Sequence, residues 1–191
     1  MINPIIEDEE FRGQTFSKED GLKKGDYENC KFVNCIFTNS NLTGITFIDC
    51  EFNGCNLSMV NMKSTSLKTV RFKSCKLVGL NFGDCNAFLF SVSFDDCILN
   101  LASFFKLKLK GTNFKNCNVQ EVDFAETDLT SANFENCDLT GAVFDKTILE
   151  KADFRSSRGF SIDPEINKIK KAKFSMTGVI GLLDKYDLAI E

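Results

Sequence analysis

Large apolar residues recur along this chain at a spacing of about 20 residues, and phenylalanine occupies most of these positions. The series has nine members and is interrupted only by steps of 21 and 22 residues: Phe11, Phe32, Phe52, Phe72, Phe94, Phe114, Phe134, Phe154 and Phe174. A fixed short period is typical of solenoids, in which each repeat packs only against its neighbours. The pattern therefore predicts one elongated domain of about eight coils.

A second period of five residues subdivides each coil. Blocks such as CDLTG and ANFEN place a small residue first, a polar one second and a large apolar one third. Neither the helical pattern nor strict alternation has this period. A chain that turns a corner every five residues fits it, with the first and third positions pointing inward. Four corners then complete one coil, and the sequence predicts an all-β, four-sided helix.

Two coils carry extra residues, and the first of them has one additional residue within Ser17–Tyr27. The steps Phe72 to Phe94 and Cys75 to Cys97 are both 22 residues long, which places two additional residues within 82–89. Phe88, Phe90 and Phe105 lie near this insertion, at positions that should point outward. We expect either that the bulged loop buries these rings or that they form a small apolar contact patch.

The nine cysteines all occupy the small inward position of a block, where Ala, Val and Thr stand in other blocks. A buried free cysteine acts as a small hydrophobic residue. No CxxC pair occurs and the chain has no histidine, so we expect neither a disulfide framework nor a metal site. Reduced thiols in this number favour a reducing compartment, which predicts a cytoplasmic protein.

Charge is distributed in bands along the chain. Residues 57–115 have nine basic and three acidic side chains, whereas residues 116–156 have nine acidic and three basic ones. In a solenoid, order along the sequence is order along the rod. The bands are explained either by ordinary solubilising charge or by a surface for a partner with its own charge pattern. The sequence does not decide which band would be the working surface.

The repeat becomes degenerate near the C-terminus, so we divide the chain into a solenoid of residues 1–175, with an irregular last coil at 155–175, and a tail of residues 176–191. Val179, Leu182, Leu183 and Tyr186 follow a helical spacing, and Thr177 is a candidate N-cap. The tail therefore predicts a short α-helix followed by a strand at 187–191. Its apolar side chains predict a cap on the solenoid and a two-fold dimer interface.

Catalytic motifs are absent from the sequence. There is no histidine, phosphate-binding loop, nucleophile elbow or metal-ligand cluster, so we expect a non-enzymatic protein without a cofactor. No segment is long and apolar enough to suggest a membrane span. Lys106, Lys108 and Lys110 alternate without an aromatic stacking platform, and we expect no direct binding to nucleic acid.

The blocks CDLTG, TDLTS, ANFEN and ADFRS are similar to the repeats of the pentapeptide-repeat proteins. This resemblance implies a right-handed quadrilateral β-helix. The segments NLTGITFIDCEF and GFSIDPEINKI resemble the quinolone-resistance (Qnr-type) and microcin-immunity members of the family. This second resemblance implies a homodimer that is joined through a C-terminal helix. It also implies that the dimer binds DNA gyrase and topoisomerase IV with an acidic, DNA-like rod.

The resemblance suggests a protector of type II topoisomerases against quinolones or similar inhibitors. The acidic coils beside the tail would then supply the binding surface, through Asp123, Glu126, Asp128, Glu135 and Asp138. The alternative is a structural or interaction scaffold with an unrelated protein partner. Fold alone does not decide between these functions.

Overall fold

The computed structural model describes residues 3–189, and it forms a parallel β-solenoid. Its strands are short, as expected for a chain that turns every five residues. They are β1 (Ile5–Glu7), β2 (Glu10–Arg12), β3 (Asp26–Glu28), β4 (Lys31–Val33), β5 (Thr46–Ile48), β6 (Glu51–Asn53), β7 (Ser66–Lys68), β8 (Val70–Lys73), β9 (Val92–Asp95), β10 (Asn113–Lys115) and β11 (Asn133–Glu135). A short 3-10 helix spans Phe82–Asp84.

The strands form two parallel sheets on adjacent sides of the rod. The first, which we call face one, has seven strands in the order β2-β4-β6-β8-β9-β10-β11, and the second, face four, has the order β1-β3-β5-β7. Isolated parallel bridges continue face one through Asp153 and Lys173, close to the end of the predicted phenylalanine series. Seven coils thus carry a regular strand on this face, where the spacing predicted about eight coils.

Two further faces are held by isolated parallel bridges. Face two includes the pairs Ile36↔Asn56 and Asn118↔Asp138, and face three includes Asn41↔Asn61 and Ser103↔Asp123. On face four, the bridge Lys108↔Asp128 continues the backbone pairing toward the C-terminus, beyond the last regular strand of that face. Four ladders of backbone pairing therefore run along the rod, which confirms the predicted four-sided, all-β architecture.

Stacked aromatic rings fill the centre of the solenoid. On face one, the rings of Phe32 and Phe52 are 4.6 Å apart and nearly parallel, and Phe114 and Phe134 repeat this arrangement at 4.8 Å. Phe104 on face three meets Phe114 edge-on, at 5.9 Å and 86°. Such pairs contribute about 0.5–1.5 kcal/mol each beyond the burial of their surface. The core is therefore a continuous column held by contacts between neighbouring coils.

The corners explain the strict period of five. At the last position of many blocks the backbone is left-handed, with φ of 51° at Asn29, 52° at Asp49 and 58° at Ser131. Non-glycine residues reach this region at a cost of roughly 1–2 kcal/mol each. The backbone N–H of a corner residue donates to the next coil, as from Asp49 to the carbonyl oxygen of Lys68 at 2.9 Å. Hydrogen bonds between coils therefore offset the conformational cost of each left-handed corner.

All nine cysteines are free and buried, in agreement with their inward position in the repeat. Seven of the nine thiols donate to backbone carbonyls of the preceding coil, as Cys50 Sγ does to the Tyr27 oxygen at 3.2 Å. Burial raises the pKa of Cys50 and of Cys85 to about 12. Both thiols are therefore protonated at neutral pH and act as apolar packing groups.

The two extra residues of the long coil lie at 87–91, which overlaps only the end of the predicted interval. Ser66 pairs with Asn86 at an offset of 20, whereas Val70 pairs with Val92 at an offset of 22. The chain between Asn86 and Val92 therefore bulges away from the regular path, at the corner that joins face four to face one.

The predicted C-terminal α-helix is not formed. The segment instead contains two short 3-10 helices, Gly178–Leu182 and Asp184–Tyr186, and Thr177 makes no side-chain cap. Glycine is a poor helix former, and Gly181 lies so close to the preceding coil that a Cβ there would stand 2.2 Å from the Phe160 carbonyl oxygen. The tail is thus fitted to the end of the solenoid rather than to helical geometry.

The predicted terminal strand is not formed by residues 187–189, and the rest of that prediction, residues 190–191, lies outside the described residues. Leu182 packs against the core, and Phe160 inserts between the solenoid and the tail. The tail therefore closes the C-terminal end of the core, although not as a helix.

Candidate protein-binding surfaces

The five candidate acidic residues lie on all four faces of the rod. Asp138 is on face two, Asp123 on face three, Asp128 on face four and Glu135 on face one, while Glu126 stands at the corner that follows face three. They do not converge on one site. A partner that contacted all of them would have to surround the rod.

The aspartates of this group have a local structural role. One carboxylate oxygen accepts the backbone N–H two residues further along: at 2.9 Å from Ala125 to Asp123, and at 3.1 Å from Thr140 to Asp138. Asparagine does the same elsewhere, as Asn56 does with the N–H of Ser58 at 3.1 Å. The Asp/Asn preference at the second block position thus reflects turn formation, which the sequence pattern alone does not separate from partner binding.

The second carboxylate oxygens of Asp128 and Asp138 contact basic residues of the neighbouring coils, whereas that of Asp123 accepts the Ser103 hydroxyl at 3.2 Å. Asp128 pairs with Lys110 at 3.3 Å, and Asp138 pairs with Arg158 at 2.9 Å. Glu126 lies 3.6 Å from Lys106. The acidic coils are therefore connected to the basic band on one side and to the last coil on the other, and part of their charge is neutralised within the chain.

These contacts stabilise the ionised carboxylates. A hydrogen bond from the Thr140 hydroxyl, together with Arg158 and Gln120, lowers the pKa of Asp138 to about 2. Burial opposes ionisation of Asp128, but hydrogen bonds from Thr130 and the charge of Lys110 outweigh it and lower its pKa. A signal for these pairs exists in the sequence, because opposite charges recur at an offset of one coil, 20 residues, for Lys106 and Glu126 and for Asp138 and Arg158.

Like Asp123, and unlike the other three, Glu135 makes no ion pair within residues 3–189. It lines an open groove of ≈ 870 Å³ on face one together with Lys151, Arg155 and Lys171. The carboxylate of Asp153 lies in the same groove, where a hydrogen bond from Arg155 lowers its pKa to about 2. The groove thus has more basic than acidic side chains.

The structure separates the three candidate loop aromatics. Phe90 turns toward the core, with its ring 6.4 Å from that of Phe82 in an edge-to-face arrangement. Phe88 is 67% exposed on the bulged loop, and Phe105 is 39% exposed on face three, where Lys106 covers its ring at 4.5 Å. Any contact patch near the insertion therefore centres on Phe88 and on its neighbour Leu89, which is 63% exposed.

The tail presents apolar side chains to solvent. Val179, Leu183 and Tyr186 are exposed, as is Ile180, whereas Leu182 is directed to the core. Lys185 fixes this arrangement through contacts of 2.7 Å to both Asp163 and Glu165. Three of the four candidate interface residues therefore share the outer side of the tail.

Other kinds of site find no support in the part of the chain described. Within residues 3–189 there is no group of three or more side chains that could bind a metal ion. Among the helices of the same residues, none has the length and apolar character needed to cross a membrane.

Comparison with solved structures gives several pentapeptide repeat proteins of low identity. Full-length QnrB1, described as a plasmid-mediated fluoroquinolone resistance protein, is 18% identical over 96% of this chain and 100% of its own, with a TM-score of 0.45. HetL, a pentapeptide repeat protein of the cyanobacterium Nostoc involved in heterocyst differentiation regulation, is 14% identical over 93% of this chain and 89% of its own, with a TM-score of 0.48. A pentapeptide repeat protein from the Arabidopsis thaliana thylakoid lumen is 20% identical over 81% and 90%, with a TM-score of 0.29.

No curated protein sequence is significantly similar to this chain. The family model for the pentapeptide repeat region, in contrast, matches residues 26–88 and 86–154, which together cover more than half of the chain. The matched range contains most of the stacked phenylalanines and left-handed corners. The chain therefore belongs to the pentapeptide-repeat family.

Proposed function

We propose that this protein is a non-enzymatic binding protein whose acidic coils occupy a basic, DNA-binding groove of a type II topoisomerase and protect that enzyme from inhibitors such as quinolones. The observation that carries the proposal is the distribution of carboxylates over all four faces of coils 116–156. A groove that encloses duplex DNA contacts phosphates around the helix, and a rod with carboxylates on every side offers comparable charges.

The carboxylates best suited to this role are those that are not needed within the fold. Glu135 makes no ion pair among the described residues, and Glu126 has only a long contact with Lys106, 3.6 Å, at an exposed corner. Exposed pairs of this kind contribute about 0.2–1 kcal/mol, so a partner's cation could replace Lys106 at little cost. Asp128 and Asp138 would contribute mainly through the field of the whole block.

The second candidate is an interaction scaffold with an unrelated protein partner. It is favoured by the pairing of Asp128 and Asp138 with basic residues of adjacent coils, because these contacts reduce the acidic field that a DNA-like surface requires. Under this proposal the ion pairs hold neighbouring coils in register, and an apolar or basic part of the surface binds the partner.

We also propose that the outer side of the tail forms a two-fold homodimer contact through Val179, Leu183 and Tyr186. Their exposure supports it, since apolar side chains clustered at one end of a rod favour association. Light scattering at ~0.5 M salt, where charge-dependent contacts are screened, would test this proposal with the variant Val179→Asp/Leu183→Asp. A monomeric parent protein at micromolar concentration, or an unchanged dimer in the variant, would contradict it.

The topoisomerase proposal is tested by a DNA gyrase supercoiling assay with a quinolone, with and without the protein. We expect protection that weakens as salt rises, because charge pairs are screened. Glu126→Lys/Glu135→Lys should abolish protection while circular dichroism remains unchanged. Asp128→Asn and Asp138→Asn remove charge but keep the turn-forming oxygen, and should reduce protection partially.

The matched control reverses the basic band through Lys68→Glu, Arg71→Glu and Lys73→Glu. Under the topoisomerase proposal this control should protect as well as the parent protein. Failure of the parent protein to protect gyrase, or protection that survives reversal of Glu126 and Glu135, would favour the scaffold instead.

A further inference from the structure

One corner of the solenoid, between face four and face one, carries opposite charges at its two ends. We call it the bipolar corner. Its left-handed residues are, from the first coil to the last, Asp8, Asn29, Asp49, Thr69, Leu89, Gly111, Ser131, Lys151 and Lys171. Backbone hydrogen bonds place neighbouring members in adjacent coils, as from Asp8 N to the Glu28 oxygen at 3.1 Å and from Lys151 N to the Lys170 oxygen at 3.0 Å.

The N-terminal end of the bipolar corner is acidic. Glu7, Asp8, Glu9 and Glu10 are consecutive and exposed, and they surround the corner in its first coil. Of these four, only Glu10 has an ion-pair partner among the described residues, the neighbouring Arg12. Glu7 ends β1 and Glu10 begins β2, which are the outermost strands of their sheets, and Asp8 and Glu9 lie between the two strands. Three unpaired carboxylates therefore lie together at this end of the rod.

The C-terminal end of the same corner is basic. Five exposed lysines stand on it or beside it, Lys151, Lys168, Lys170, Lys171 and Lys173. Of these, only Lys173 contacts a carboxylate within the described residues, Asp153 at 3.5 Å. Four cations are thus left without a partner inside the chain.

The middle of the corner is apolar. Leu89 is the fifth of the nine corner residues, and with Phe88 it forms the tip of the bulge created by the two extra residues. Both side chains are more than 60% exposed. The corner is therefore acidic in its first coil, apolar at the central bulge and basic in its last coils, and Lys68 and Lys110 of the basic band stand beside it one coil before and one coil after the bulge.

We propose that a second copy of this chain docks along the bipolar corner in antiparallel orientation. A two-fold axis at the bulge would bring Leu89 and Phe88 of the two copies together, and would set the acidic end of each copy against the basic end of the other. The same rotation pairs Asp8 with Lys171 and Glu10 with Lys173 of the second copy. An interface in which each surface meets its own counterpart is the commonest way in which soluble proteins dimerise.

The size of the contact predicts its strength. Nine rows at about 4.8 Å give a strip about 38 Å long, and a width of roughly 15 Å corresponds to roughly 600 Å² per copy, at the low end of specific interfaces. We therefore expect a dimer with a dissociation constant in the micromolar range. Apolar contact stabilises its centre, and opposite charges stabilise its ends. This contact is separate from the tail contact and does not depend on the proposed function.

A single cysteine at the bulge provides a direct test. Because the native thiols are buried, Leu89→Cys would supply one exposed thiol, and the two-fold arrangement would place it beside its counterpart. Leu101→Cys is the matched control: Leu101 is similarly exposed, at 59%, and has the same left-handed backbone, but it lies on the corner between faces two and three. Under mild oxidation at low salt, we expect a covalent dimer from Leu89→Cys and none from Leu101→Cys.

Salt separates this contact from the tail contact. Cross-linking through Leu89→Cys should fall at ~0.5 M salt, where the Debye length is about 4 Å, and should persist in the Val179→Asp/Leu183→Asp background. Equal cross-linking by both cysteine variants, none by Leu89→Cys, or loss of cross-linking in the tail variant would overturn the proposal.

Charge exchange tests the ends of the corner. Glu7→Lys/Asp8→Lys/Glu9→Lys makes both ends basic, and Lys168→Glu/Lys170→Glu/Lys171→Glu makes both ends acidic. Each variant alone should cross-link at least about tenfold less through Leu89→Cys, because like charges then meet. A mixture of the two variants, or a chain that carries both sets, should recover cross-linking. Failure of both recoveries would contradict the antiparallel arrangement.

Discussion

The central coils, residues 26–154, and the last coil with its tail, residues 155–189, solve the same packing problem in different ways. In the central coils nearly every inward position holds an apolar residue or a threonine, and ring stacks upon ring. In the last coil Pro164 stands at a core position of the repeat, Asn167 takes the place of Thr127 and Thr147, and Phe160 leans at 51° to Phe154 rather than stacking on it. A repeat specifies its own interior, but its end requires residues that substitute for a missing neighbour.

Asn167 shows how this substitution is made. Its side-chain oxygen accepts the backbone N–H of Thr147 at 2.8 Å, and its amide nitrogen donates to the carbonyl oxygens of Phe144 and Asp163 at 3.0 and 2.9 Å. Thr147 instead donates its hydroxyl to the Phe124 carbonyl at 2.9 Å. One buried amide thus holds groups of the preceding coil that the end of the repeat would otherwise leave unpaired.

The largest expected effect is in the central coils. Phe114→Ala should cost about 3–5 kcal/mol, because it empties a fully buried position between two stacked rings. Phe174→Ala removes a partly buried ring stacked on one neighbour only, Phe154 at 5.4 Å, and should cost clearly less. Denaturant unfolding measures both. Equal losses would show that the last coil is as tightly packed as the centre.

The second effect concerns the end of the repeat. Asn167→Ala should cost roughly 2–3 kcal/mol by leaving buried backbone groups without partners, and hydrogen exchange should accelerate in residues 155–189 before it does in 26–115. Asn167→Thr is the matched control, since threonine occupies this position in the two preceding coils, and it should restore part of the loss. Uniform acceleration along the whole rod would show that the end does not open separately.

The third effect concerns the access of a thiol reagent to the buried cysteines. The nine native thiols should react with a thiol reagent only after denaturant is added, since they are buried and burial raises the pKa of Cys50 and Cys85 to about 12. Ala172→Cys places a thiol at the equivalent inward position of the last coil, where the side chain is half-buried, and it should react faster. Rapid native labelling of most cysteines would contradict the packing of the central coils.

The regular part of the fold was predictable because the same residue pattern recurs in every coil. Periods of five and twenty residues are enough to give four faces, inward cysteines and a stacked core. The tail was predicted wrongly because Val179, Leu182 and Leu183 have a spacing that suits an α-helix, whereas Gly178 and Gly181 and the contact with Phe160 favour short 3-10 turns. Each terminal feature occurs once, so no repetition supports its interpretation.

The surface was predictable only in part. Outward positions followed from the repeat, but the sequence pattern gave no reason to separate the turn-forming oxygen of Asp138 from a binding group. Phe90 also lay at an outward position of the repeat, and the extra residues at 87–91 redirect it toward Phe82. Local geometry at an insertion depends on which backbone pairs are lost, and the spacing of the ladder does not specify that.

The smallest expected effect concerns the ion pair that joins the two regions, Asp138 of the central coils and Arg158 of the last coil. In the folded protein the pKa of Asp138 is about 2, which lies below the ordinary value near 3.9 of an unfolded aspartate. The carboxylate therefore contributes stability above about pH 4, and this contribution is lost as pH falls from about 4 toward 2. Because Arg158 is exposed, the pair itself should contribute less than about 1 kcal/mol.

Asp138→Asn keeps the turn hydrogen bond to the backbone and removes the charge, so it isolates the ion pair from the turn. We expect a small loss of stability at pH 7, and a shallower decrease between pH 4 and pH 2 than in the parent protein. Asp145→Asn is a control on the following face of the same coil, since Asp145 makes no ion pair among the described residues. If both variants lose the same stability at every pH, the contact between Asp138 and Arg158 does not join the last coil to the centre.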